Sequence, residues 1–147
     1  MAANPSPSSQ ATETLARLPV RSAMQLGLFN CAADDGLAAV ARTMAEQRVH
    51  SVVVADVSRR DHAGEHLAWG IVSDMDLMRA LEGGADATAG EVAATEIVVV
   101  SPRDSLAQAV QLMTDHDTAH LVVASPETGR PVGMISSLDI AAAVNAT

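Results

Sequence analysis

Two short segments carry the residues best able to do chemistry: Gly70-Ile71-Val72-Ser73-Asp74-Met75-Asp76 and Gly133-Met134-Ile135-Ser136-Ser137-Leu138-Asp139. Each runs Gly, two apolar residues, Ser, two residues, Asp, and each leads into a stretch with helical apolar spacing. Taken singly, Ser-x-x-Asp before a helix is a capping box, in which the Ser oxygen accepts an amide hydrogen bond and the acid answers from three residues on. The same groups can do more. A helix N-terminus offers free amides and a dipole that favour an anion, and an Asp placed there can accept two hydrogen bonds from vicinal hydroxyls. Amides for a phosphate beside a carboxylate for a diol suit a ribose phosphate.

The elements that must position these residues come from an internal repeat. Displaced by 69 residues, Asp35, Leu37, Met44, Val53, Val54 and Ala55 fall on Asp104, Leu106, Met113, Val122, Val123 and Ala124. From Gly70 onward the displacement is 63, so that Gly70, Ser73 and Asp76 fall on Gly133, Ser136 and Asp139. The difference places an insertion, expected as a loop, in the polar segment 58–67 of the first copy against the short turn 126–129 of the second.

Each copy reads as a short strand (28–31; 97–100), then a helix with Asp35 or Asp104 near its cap. The helices carry apolar stripes at Leu37, Val40, Ala41 and Met44, and at Leu106, Ala109, Val110 and Met113. Two strands follow (49–55 and 68–72; 120–124 and 131–135), then a second helix (75–81; 138–144), stopped in the first copy by Gly83-Gly84. The fold class is α+β, with β-α-β-β-α written twice. A unit of about 60 residues buries too little surface to stand alone, so the copies are expected to pack as a pseudo-two-fold pair. The expected organisation is a disordered tail over 1–14, a first domain over 15–85 and a second over 86–147.

Composition removes several classes of function. The nine basic residues, all Arg, face 18 acidic ones for a net charge of −9, which opposes nucleic acid as a partner. Phe29 and Trp69 are the only aromatic residues, too few for a base-stacking platform. No apolar run approaches the roughly 18 residues of a membrane helix. One cysteine, Cys31, and no export leader lead to the expectation of a cytoplasmic chain. Without Lys there is no Walker motif, and neither Gly-x-Gly-x-x-Gly nor Gly-x-Ser-x-Gly occurs, so no enzyme activity is expected. His62 and His66 flank Gly64, which opposes the helix an i, i+4 metal pair needs, and they are read as solvated loop residues with no metal site. Cys31 and the methionines are read as core.

With the repeat and both junctions in view, the chain from about Leu18 to Asn145 resembles the CBS (cystathionine beta-synthase) domain pair, or Bateman module. The resemblance rests on the duplicated pattern, the apolar-Met helix ends, the Val-Val strands and both Gly-x-x-Ser-x-x-Asp junctions. It implies a regulatory module in which the Ser and Asp hold the ribose of an adenine nucleotide or adenosyl compound in clefts between the copies. Carried over, Ser73 and Asp76 serve one site, Ser136 and Asp139 the other. Adenine is implied against Leu28 and Phe29, or Ile97 and Val98. Phosphate is implied at His50, Arg79 and His120. The second copy has Ala142 in place of Arg79, and both copies have Val (Val53, Val122) where many members have Pro. The implied ligands are AMP, ADP, ATP or S-adenosylmethionine, with no resident cofactor.

Two functions follow as expectations: a ligand sensor that acts on a separate target protein, or a ligand-free module that only dimerises, with Ser73 and Ser136 as caps. A homodimer is expected in either case, because Ala38, Ala41, Ala45, Ala107, Ala141 and Ala142 give helix faces that allow close approach.

Overall fold

Parallel pairing of a short strand with the strand beyond its helix organises both halves of the chain. The computed structural model describes residues 6–62, 64–84 and 86–146. In the first copy β1 (Asn30–Ala32) pairs parallel with β2 (Ser51–Asp61), which returns antiparallel as β3 (Gly64–Ser73), in the order β1-β2-β3. Helix α2 (Leu37–Gln47) connects β1 to β2, and α3 (Asp74–Glu82) follows β3. The second copy repeats this with β4 (Val99–Val100), α5 (Leu106–Asp115), β5 (His120–Ala124), β6 (Pro131–Ser136) and α6 (Ser137–Asn145). The short α4 (Ala89–Val92) lies between the copies in sequence. The fold is α+β.

Local chemistry is repeated along with topology. Asp35 Oδ2 accepts the Ala32 N–H at 2.9 Å, and Asp104 Oδ2 accepts the Ser101 N–H at 2.9 Å. These acids close the turn one residue before the N-caps, Gly36 and Ser105. Helix α2 is capped by Arg48 at a positive φ of 54°, and its repeat equivalent Asp117, one residue past the His116 cap of α5, also has a positive φ of 49°.

Each copy has its own core. In one, Leu37, Val40 and Met44 of α2 meet Val52, Val54, Val57, Val72 and Leu77. In the other, Leu106, Ala109 and Met113 of α5 meet Leu121, Val123, Ile135 and Ile140, with Val20 from the N-terminal segment. Burying each such Val or Leu contributes about 1.5–3 kcal/mol, so the i, i+3, i+7 stripes fix which face of each helix turns inward.

Compact grouping does not follow the repeat boundaries. Leu28–Ile97 form one unit, while the segment through Gly27 joins the residues from Val98 onward in the other. The reason is a pair of equivalent bridging segments. In the first unit Thr88 bridges Gly36 and Ala94 bridges Ile71; in the second Pro19 bridges Ser105 and Gln25 bridges Met134. Pro19 and Gln25 are the equivalents of Thr88 and Ala94, so the N-terminal segment completes the second copy.

Three sequence expectations are corrected. The segment read as a disordered tail over 1–14 contains helix α1 (Pro7–Arg17), capped by Ser6 Oγ, which accepts the Ser9 N–H at 3.2 Å, and started by Pro7; residues 1–5 lie outside the described residues. Its polar face hid it, but Thr14 is buried, Leu15 packs on the second unit's core and α1 lies against α5 and α6. The insertion at 58–67 is a β-hairpin arm in which Arg60 pairs with Glu65 and Asp61 with Gly64, and Ser58 Oγ donates to Glu65 Oε1 at 2.8 Å. The methionines divide: Met44 and Met113 are core, whereas Met75 and Met78 are about half exposed.

Candidate functional site

The two junctions fold the same way. Each Ser closes a strand in extended conformation and starts a helix: Ser73 at the end of β3 and Ser136 at the end of β6. The Asp76 N–H donates to Ser73 Oγ (3.1 Å) and the Ser73 N–H donates to Asp76 Oδ2 (3.1 Å). In the second copy the Asp139 N–H donates to Ser136 Oγ (3.2 Å) and the Ser136 N–H to Asp139 Oδ2 (2.9 Å). Both are complete capping boxes, and in both the cap commits Oδ2 and leaves Oδ1 as the second acceptor.

The leading Gly of each motif has a packing reason. A Cβ on Gly133 would lie 2.6 Å from the carbonyl oxygen of Gln25, and one on Gly70 would lie 2.9 Å from that of Ala94. Only a residue without a side chain lets the bridging segment come this close.

What surrounds Oδ1 differs. Beside Asp76 stands Arg79, with Nη1 3.8 Å from Oδ1, one turn along α3. Beside Asp139 stands the Gln25 side chain, whose Nε2 donates to Oδ1 at 3.1 Å. Gln25 was not among the residues the sequence singled out. Extending the 69-residue displacement backward sets Gln25 against Ala94, which marks a polar-for-apolar difference between copies but not the reach to Asp139.

The phosphate candidates are placed unevenly. His50 presents its carbonyl to the Asp74 N–H (2.8 Å) and its Nδ1 to Asp74 Oδ2 (2.9 Å), so it adjoins the first junction but faces a carboxylate. His120 pairs in register with Ser136, as Ser51 does with Ser73. His120 and His50 are therefore not counterparts; Ala119 holds the place of His50, and its carbonyl accepts the Ser137 N–H at 2.8 Å. Of the adenine candidates, Phe29 and Val98 pack against the cores of their own units, while Leu28 and Ile97 are partly buried outside those clusters.

Other chemistry has little to work with. Cys31 is partly buried, and burial followed by the charge of Asp35 pushes its thiol above the usual 9.0. Among the described residues no three of His, Cys, Asp and Glu gather as a metal site. A cavity of about 470 Å³ opens between α5 and α6, lined by Val110, Met113, Asp117, Thr118, Ser137 and Ile140 among others. It adjoins Ser137 but is not lined by Ser136 or Asp139.

With the duplicated strand-to-helix junctions described, comparison with known proteins decides the family. The CBS domain model matches residues 20–83 and again 89–146. The chain belongs to the CBS domain family. Solved structures agree on the CBS pair fold. One neighbour is the CBS domain pair of protein MJ0100 in complex with 5′-methylthioadenosine and S-adenosyl-L-methionine, with a TM-score of 0.72 and 16% identity over 88% of this chain and 97% of that one. An uncharacterised conserved protein from Pyrococcus horikoshii gives 0.71 and 18% over 87% and 92%. Hypoxic Response Protein I, solved with two coordinated zinc ions, gives 0.65 and 26% over 85% and 98%. No curated protein sequence matches significantly. Among the described residues no helix is long and apolar enough to cross a membrane.

Proposed function

We propose that this CBS pair is a regulatory module that binds an adenine nucleotide or related adenosyl compound at its two strand-to-helix junctions and has no catalytic role. The observation that carries the reading is the duplicated capping box, which fixes Asp76 and Asp139 by one oxygen each at a helix N-terminus. A carboxylate held this way is preorganised for a ribose diol, and hydrogen bonds to it are of the charge-assisted kind. Support also comes from the MJ0100 pair, whose solved complex contains two adenosyl compounds. AMP, ADP, ATP and S-adenosylmethionine are the ligands to try, and Ser73, Asp76, Ser136 and Asp139 the residues to hold the ribose. His50, Arg79 and His120 would serve phosphate, and Leu28, Phe29, Ile97 and Val98 adenine.

The module is taken to be a cytoplasmic homodimer that reports ligand occupancy to a target protein, with neither nucleic acid nor membrane as a partner. Met75, Met78, Leu81 and Leu138 leave apolar surface on α3 and α6 for a second copy to cover. A second reading, a dimerisation module without ligand, is favoured by one observation: both capping boxes are satisfied by protein groups alone. Calorimetric titration with the four ligands separates the two. Binding that is lost in Asp76→Ala and Asp139→Ala chains supports the sensor; no heat up to millimolar ligand leaves the dimerisation module.

A further inference from the structure

We infer that Gln25 is a built-in competitor for the second junction: its side-chain amide occupies the acceptor on Asp139 that a ribose hydroxyl would use. The inference rests on the ribose reading proposed above and extends it to selectivity between the sites. Asp139 Oδ2 is committed to the Ser136 N–H at 2.9 Å, and Oδ1 takes Gln25 Nε2 at 3.1 Å. Gln25 is anchored for this. Its N–H donates to the Met134 carbonyl at 2.8 Å and its carbonyl accepts the Met134 N–H at 3.0 Å, so the backbone is pinned one residue beyond Gly133 while the side chain remains exposed. A tethered donor has a high effective concentration and loses little entropy in binding. A ribose diol whose two hydroxyls both donate to Oδ1, the oxygen the cap leaves open, must displace it. At the first junction the equivalent residue is Ala94, which has no donor in its side chain, and Arg79 Nη1 stands 3.8 Å from Asp76 Oδ1, beyond hydrogen-bond distance. The first junction is therefore open to the diol and the second is held in reserve for higher ligand concentration.

The test uses adenosine, which carries the diol without phosphate, and 2′,3′-dideoxyadenosine, which lacks the diol. Measured in an Asp76→Ala chain, so that only the second junction reports, Gln25→Ala should strengthen adenosine binding by about three- to tenfold, the span of one net hydrogen bond. The dideoxy compound should show no gain. Ala94→Gln in an Asp139→Ala chain should weaken adenosine at the first junction by a similar factor. Unchanged or weakened adenosine binding in Gln25→Ala overturns the competitor, weakened binding making Gln25 a contact to the ligand instead. Adenosine binding to none of the chains overturns the ribose reading itself. A ligand-free measurement keeps the two failures apart: the Gln25 side-chain amide resonances should move in Asp139→Ala, and their indifference would remove the contact whatever the ligand does.

Discussion

The Gln25 amide meets the Asp139 carboxylate at 3.1 Å, whereas Asp76, its counterpart, has the Arg79 guanidinium 3.8 Å away and, in the place of Gln25, Ala94, whose side chain carries no donor. Two junctions built from one repeated sequence thus differ in what accompanies the acid: a neutral group from outside the helix in one, a cation on the helix in the other. Fold symmetry is kept while the electrostatics diverge.

Asp76→Ala and Asp139→Ala should each weaken adenosyl-ligand binding at their own junction by about tenfold or more, since hydrogen bonds to a charged acceptor are worth about 1.5–3 kcal/mol. Both changes also remove half of a capping box, which costs the helix about 1 kcal/mol. Asp→Asn separates these effects, because the amide keeps one oxygen to accept the Ser N–H and loses the charge. Trp69, directly before Gly70, offers a fluorescence readout for the first junction, and calorimetry reports both.

Arg79 should make the first junction the better one for phosphorylated ligands. Arg79→Ala is expected to lower ATP affinity by about five- to tenfold while leaving adenosine nearly unchanged, and Ala142→Arg should raise ATP affinity at the second junction. Equal losses for ATP and adenosine would show that Arg79 acts by positioning Asp76 rather than by meeting phosphate.

Much of this was legible in the sequence because the repeat reports itself twice. The stripes Leu37-Val40-Met44 and Leu106-Ala109-Met113 are core in both units, and both Ser-x-x-Asp motifs fold as capping boxes. What escaped is decided by tertiary contact. Helix α1 has too polar a sequence to announce itself, and it is stabilised by burying Thr14 and Leu15 against the second unit. The hairpin arm looked like a loop because strand pairing beyond the sheet needs no buried face. Gln25 escaped because it reaches Asp139 from 114 residues away, through a bridge that no local pattern encodes.

Glu127 gives a pH test. Its carboxyl lies below the usual 4.5, first through the Ser125 hydroxyl, then its own N–H and the Arg103 guanidinium at 2.7 Å. A depressed folded value means that this stabilisation is present above the unfolded value near 4.5 and disappears as pH falls through the lower folded one. Glu127→Gln should therefore melt slightly below the parent at pH 7, by a small margin because the pair is exposed. The gap should close as the melting series is carried to pH 3; a gap that persists there would assign the effect to shape, not charge.

Gly133→Ala should be more damaging than Gly70→Ala, and the order bears on the site as well as on stability. The new methyl at 133 would sit 2.6 Å from the Gln25 carbonyl oxygen, which cannot retreat without lengthening the 3.0 Å bond it accepts from the Met134 N–H. At 70 the nearest backbone oxygen, that of Ala94, is 2.9 Å away, and the other close atom, the Ala93 Cβ at 3.0 Å, belongs to a side chain. Overpacking of this kind costs about 1–3 kcal/mol, so Gly133→Ala belongs at the upper end and Gly70→Ala below it. Gly36→Ser is the control: nothing lies within 4 Å of its Cβ, its φ is −76°, and it is the N-cap of α2 where the second copy has Ser105, so stability should hold or rise by a few tenths of a kcal/mol. The methyl at 133 also pushes the backbone that carries the Gln25 side chain. Gly133→Ala should therefore detach Gln25 from Asp139 and shift the Gln25 amide resonances as Asp139→Ala does, whereas Gly70→Ala should leave them in place. Equal melting temperatures for the two Ala variants, with Gln25 unmoved in both, would mean that the bridge at Gln25 and Met134 yields more easily than its hydrogen bonds imply.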